Sequence, residues 1–158
     1  MSRPTIQSTP TPFDSADRLV VSLIRRRAAG CGLSTLAALV AKDVPPGTEE
    51  GVAKAVFPLV AALDDERGPE VQLRPVPCRH IGPDERIILR LLSVLQAGDL
   101  ASAHPFAEIL VQTTRREALL CAAERLVQGL TQAGLRLIPS APPPSPMAWF
   151  PTGVNGRI

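Results

Sequence analysis

The chain has 158 residues, 17 basic against 15 acidic side chains for a formal charge of +2, and 45% hydrophobic but only 3% aromatic content. A chain of this length supports one domain burying roughly 68–70% of its unfolded surface, with a core that must be aliphatic. The balanced charge excludes a global field drawing the molecule onto nucleic acid or an anionic membrane.

The only lysines are Lys42 and Lys54, a preference for arginine that reads as coding bias rather than phosphate recognition. Three cysteines, Cys31, Cys78 and Cys121, are odd in number and irregular in spacing. That argues against a secreted disulfide framework and predicts reduced thiols in a cytoplasmic protein. The opening "MSRPTIQSTPTPFDS" lacks the apolar run of a secretory signal. The longest uncharged run, from Arg136 to Arg157, is interrupted by six prolines, so no spanning helix is expected.

Nine of the 17 prolines lie in the first twelve residues or from Pro139 onward. This divides the chain into an N-terminal segment (1–13), ordered only by a partner if at all, a helical domain (14–138) and a Pro-rich tail (139–158). The predicted fold is a mostly α bundle of five to six helices.

Taken in chain order, the first helix covers "DSADRLVVSLIRRRAAG", where Ala16, Leu19, Val20, Leu23 and Ile24 repeat along one face, Asp14 or Ser15 caps and Gly30 stops. "STLAALVAK" reads as a shorter helix capped by Ser34. In "PPGTEEGVAKAVFPLVAALDDE", Thr48 serves as N-cap, Glu49 and Glu50 suit the helix dipole, and Val52, Val56, Leu59, Val60 and Leu63 line up, with Pro58 predicting a kink or break. "EVQLRPV" alternates like a short strand, and "GLRLIPS" is its natural partner, which predicts a two-stranded edge ribbon. "IGPDERIILRLLSVLQAG" has Pro83 at the first helical position, Asp84 and Glu85 in the first turn, Gly98 as the stop, and apolar residues almost all round, the pattern of a central helix. "HPFAEILV" reads as a short helix begun at Pro105. "TRREALLCAAERLVQGLTQAG" opens with Thr114 and Glu117 in capping-box spacing and presents Leu119, Ala123, Leu126, Val127 and Leu130 inward.

Residues with chemical potential are few. In "PVPCRH", Cys78 and His80 are metal-ligand types two residues apart, and a Cys78 thiolate would gain from Arg79 and His80. These two carry the rival reading of a small metal- or thiol-dependent enzyme. A zinc site, however, needs three or four ligands, and Cys31, His104 and Cys121 show no paired spacing, so a turn set by prolines accounts for the stretch and no metal or cofactor is expected. Arg25, Arg26 and Arg27 fall in the last turn of the first helix, where the dipole favours cations. Arg115 and Arg116 stand at a helix start, where it does not, which marks them as candidate anion contacts and underlies a second rival reading as a weak DNA-binding regulator. Phosphate-loop, dinucleotide, zincin and nucleophile-elbow motifs are absent, and no catalytic carboxylate pair is evident. From the first helix through the turn "PVPCR" to the central helix, the element order resembles a small uncharacterised bacterial family of helical proteins. The resemblance covers the middle of the chain and implies a helical domain, with no activity and no residue roles.

The most specific stretch is the tail, "PSAPPPSPMAWFPTGVNGRI". Its prolines favour polyproline II, so Pro139 to Pro146 extend roughly 25 Å at about 3.1 Å per residue and hold the only Trp, Trp149, and Phe150 away from the domain. Burying both rings, about 150–250 Å² each, is worth on the order of 8–12 kcal/mol gross. Ordering ten or so residues costs about 1–2 kcal/mol each, a cost the prolines reduce. The sequence therefore predicts a non-enzymatic adaptor or accessory subunit that docks on a partner protein or larger assembly through Met147, Trp149 and Phe150. Ile6 and Phe13 supply a second contact. The competing destination for these rings is an apolar patch on their own domain. An interfacial membrane contact ranks below both, with only Arg157 nearby as a cation.

Overall fold

Apolar side chains recurring every three or four residues can be gathered on one side of the backbone only by a helix, and most of the described residues lie in such stretches. The computed structural model describes residues 15–64, 68–76 and 78–137. These form six helices: α1 (Ser15–Ala28), α2 (Leu33–Ala41), α3 (Glu49–Leu63), α4 (Pro83–Gln96), α5 (Leu100–Leu110) and α6 (Thr113–Gln132). The N-terminal segment and the Pro-rich tail lie outside the described residues. No helix among the described residues is long and apolar enough to cross a membrane.

In α1 the stripe Ala16, Leu19, Val20, Leu23 and Ile24 is buried as its spacing predicts. The helix ends at Gly30, whose φ of +100° is a conformation that other residues adopt at a cost. There Gly30 N donates to Arg27 O and Cys31 N to Arg26 O. In α3, Val52, Val56, Leu59 and Leu63 are buried, and the helix continues through Pro58 to Leu63 rather than breaking. Thr48 is the N-cap but makes no side-chain cap bond; its hydroxyl donates to Pro45 O. Pro83 opens α4 as expected, with Ile88, Leu89, Leu91 and Leu92 buried. Ile87, Val94 and Leu95 are only half-buried, so α4 keeps one side open while packing on α5, α6 and the end of α1.

Three helix starts differ from expectation. The N-cap of α2 is Gly32, and Ser34 lies exposed inside the helix. For α6 the N-cap is Gln112 without a side-chain cap bond; Thr114 and Glu117 form no capping box because Thr114 is already helical. The start of α5 lies at Leu100, five residues before Pro105, because Asp99 caps it by accepting from Ser102 N. Pro105 sits inside the helix, exposed, where its missing N–H leaves only the Ala101 carbonyl without its usual donor.

The expected ribbon does not form: no strand occurs among the described residues. Each candidate strand finds its hydrogen bonds on a helix instead. The Gln96 side chain donates from Nε2 to Leu135 O and accepts at Oε1 from Leu137 N, imitating the two bonds of a neighbouring strand. Gln72 N donates to Asp84 Oδ2 at the start of α4. With these groups satisfied, and Val71, Leu73 and Leu137 packed on the core, the two segments have no need to meet.

The most extensive helix pair is α3 with α6, and they run antiparallel. Arg115 near the start of α6 reaches Ala61 O near the end of α3, while Gly129 lies against Gly51 and Val52 at the other end. A Cβ added at Gly129 would stand 3.6 Å from Val52 Cα and 3.7 Å from Gly51 O, ordinary contact distances. Gly129→Ala is therefore expected to raise stability by about 0.5–1 kcal/mol in urea unfolding, since the helix loses its glycine penalty without a clash. Gly129→Leu forces the helices apart and is expected to lower stability by about 1–3 kcal/mol.

Candidate functional site

Beside its apolar stripe, α1 carries a second row at positions 18, 21, 22 and 25, spaced three and four residues apart and so on one side of the helix. Arg25 ends that row and is only 6% exposed; Glu85, in the first turn of α4, is 2% exposed. A buried charge requires a buried partner, and these two supply each other. Arg25 Nε donates to Glu85 Oε2 at 2.6 Å and Nη2 to Oε1 at 2.8 Å, a bidentate pair. The remaining fork is directed at the chain entering α4: Nη1 donates to Cys78 O at 2.6 Å and Nη2 to His80 O at 2.7 Å. Glu85 Oε1 also accepts from Gly82 N at 2.9 Å, the return limb of a capping box. One ion pair thus fastens α1, the Pro-Cys turn and the start of α4 together. Gly82 belongs to the same arrangement, since a Cβ there would come within 3.0 Å of Arg74 Nε and 3.3 Å of Glu85 Oε1.

Burial alone pushes the Glu85 carboxyl up. The hydrogen bond from Arg25, the backbone bonds from Gly82 and Arg74 and the Arg25 charge outweigh it and hold the group below the ordinary carboxylate range. Hydrogen bonding to Glu85 is the main reason the Arg25 guanidinium is held above its usual value. A carboxylate whose acidity is raised by folding stabilises the native state at every pH above its unfolded value, about 4.3, and loses that contribution as pH falls through the folded value. Acid unfolding of the full-length protein is therefore expected to begin below about pH 4.3 and to flatten over that window in Glu85→Gln, as followed by circular dichroism.

The turn that suggested metal or thiol chemistry is held by its backbone. Cys78 N donates to Pro75 O at 2.9 Å, and the Cys78 thiol lies 3.6 Å from His80 O, which also accepts from Arg25. Cys78 is half-buried and His80 exposed. Cys31 is half-buried, Cys121 and His104 are exposed, and no group of three or more His, Cys, Asp or Glu able to hold a metal ion occurs among the described residues. Arg115 and Arg116 are neighbours in sequence but go to different helices. Arg115 Nη1 donates to Ala61 O at 3.1 Å over the negative end of α3, and Arg116 Nη1 lies 3.5 Å from Glu108 Oε1 on α5. Met147, Trp149, Phe150, Ile6 and Phe13 lie outside the described residues.

An open groove of about 950 Å³ lies between α1, α3 and the 68–73 segment, with Phe57, Val60, Leu63, Val71 and Leu73 among its walls. The Arg27 guanidinium stands 4.1 Å from the Phe57 ring centroid, a cation–π contact at its edge. Family models, curated proteins and solved structures yield no match to this chain.

Proposed function

We propose that the protein is a non-enzymatic adaptor or accessory subunit, a helical domain that carries a Pro-spaced aromatic anchor to a partner protein. The observation that carries this reading is the order of residues after α6: six prolines within 139–151, with Met147, Trp149 and Phe150 among them. Apolar rings at the end of a stiff spacer gain most of their burial energy on association, and the spacer lowers the entropy that association removes. The fixed ion pair of the helical domain supports it in a different way. Arg25 and Glu85 hold the bundle together with their hydrogen-bonding groups directed at each other and at the backbone, which suits a rigid support better than a site for proton transfer.

The groove beside Phe57 favours a second reading, in which the same rings dock on their own domain. Trp149 is the sole tryptophan, so its emission reports directly on which surface receives it. Solvent-exposed emission in the isolated full-length protein, moving to a buried spectrum when the partner assembly is added, is the expected result. A buried spectrum in the isolated monomer sinks the adaptor reading. In affinity capture, full-length Trp149→Ala and Phe150→Ala proteins are each expected to retain the partner at least about tenfold less well, the usual loss for a central aromatic anchor.

A further inference from the structure

The row Arg18, Val21, Ser22 and Arg25 on α1, with Val76, Cys78, Arg79 and Ile81, lines an open depression of about 260 Å³. Val21, Val76 and Ile81 give it an apolar floor, Arg18, Arg79 and Ser22 edge it, and no carboxylate is among the described residues that line it. Arg18 and Arg79 are both exposed, and neither forms an ion pair with a described residue. Arg25 is neutralised by Glu85, but its five N–H donors are not all used. Nε gives one bond, Nη1 one and Nη2 two, and the second Nη1 N–H has no acceptor among the described residues. Two guanidiniums without a described counter-ion thus line one cavity. A dianion there supplies the missing charge and accepts charge-assisted hydrogen bonds, and the guanidinium fork matches paired phosphate oxygens.

We infer that this depression binds a small phosphate monoester, its dianion bridging Arg18 and Arg79 and its organic group resting on Val21, Val76 and Ile81. The volume agrees. At about 260 Å³ it has room for more than a lone ion and lies below the range of about 300–1,000 Å³ typical of drug-sized ligands. A phosphate monoester is mostly doubly charged at neutral pH, with a second pKa near 6. The site is separate from Arg115 and Arg116.

The test is titration of the full-length protein with glycerol 3-phosphate at fixed ionic strength, followed by calorimetry. Saturable binding at roughly millimolar concentration or tighter is expected, weakened by added salt and by about tenfold or more in Arg18→Ala and in Arg79→Ala. Both substitutions fall on exposed side chains with no described ion pair, so their thermal midpoints are expected to match the parent, and a matching midpoint ties lost binding to the site. The inference is overturned by absence of saturable binding in this range, or by binding that both variants retain in full. Inorganic phosphate binding as tightly as glycerol 3-phosphate overturns it too, since the apolar floor would then contribute nothing. Capture by phosphatidate vesicles without binding of the soluble ester overturns the assignment to a small ligand.

Discussion

Glu85→Ala is expected to lower the unfolding free energy by about 3–5 kcal/mol, the usual loss when one member of a buried ion pair is removed. The magnitude follows from what stays behind. Arg25, 6% exposed, would keep a full charge in a site that water scarcely reaches, and Gly82 N would lose its acceptor. Arg25→Ala is expected to have a comparable effect for the complementary reason, leaving a buried carboxylate and releasing the Cys78 and His80 carbonyls. The double substitution Arg25→Leu with Glu85→Leu removes both charges and is expected to recover part of either single loss, because an apolar pair replaces an ion pair at little net cost. Recovery should be incomplete, since the two carbonyls still lack their donor. Urea unfolding of the parent, Arg25→Leu, Glu85→Leu and the double variant yields the coupling directly. A Glu85→Ala loss below about 1 kcal/mol would mean that water reaches Arg25 and that the pair behaves like a surface one.

The ion pair also marks the boundary of what the amino-acid order reveals. Helix existence is legible because it is local. Leu19, Val20, Leu23 and Ile24, or Ile88, Leu91 and Leu92, announce their inward faces within two turns, and Gly30 and Gly98 take the positive φ of a helix stop. Helix starts are less so. Pro105 is compatible with a first turn, yet Asp99 and Ser102 form the cap that places the start at Leu100. The candidate strands misled for another reason: their alternation is real, but side chains on α4, Gln96 and Asp84, satisfy backbone groups that a neighbouring strand would otherwise take. Glu85 is open to two readings. As an acid in a first turn it suits the helix dipole, but it also lies three and four residues before Ile88 and Leu89 and so belongs to the inward stripe. Arg25 likewise continues the row from buried Val21. A charge on an inward stripe signals a buried partner, but that partner is 60 residues away and no local pattern names it.

Among the described residues the fully buried core is close-packed without aromatic side chains, with Phe57 and Phe106 only half-buried against it, and that makes its leucines unusually consequential. The largest fully buried apolar residues are all Leu or Ile, among them Leu23, Leu59, Leu92, Leu119, Leu126 and Leu130. Leu126 is fully buried on α6, the helix that packs on α3, α4 and α5 together. Leu126→Ala is therefore expected to cost about 2–5 kcal/mol, a large part of a total stability on the order of 5–15 kcal/mol, and to lower the urea midpoint with little change in slope. Leu126→Met keeps the volume and should cost less than about 1.5 kcal/mol. Leu100, 47% exposed at the start of α5, is the matched control: the same truncation there should stay within about 0.5 kcal/mol. The gap between the two truncations measures what burial and packing together add, because the same atoms are removed from a buried and from an exposed leucine. If Leu126→Ala fell near the Leu100 value, the helix faces would be collapsed but not interlocked, and a bundle in that state could not hold Arg25 and Glu85 in one fixed geometry.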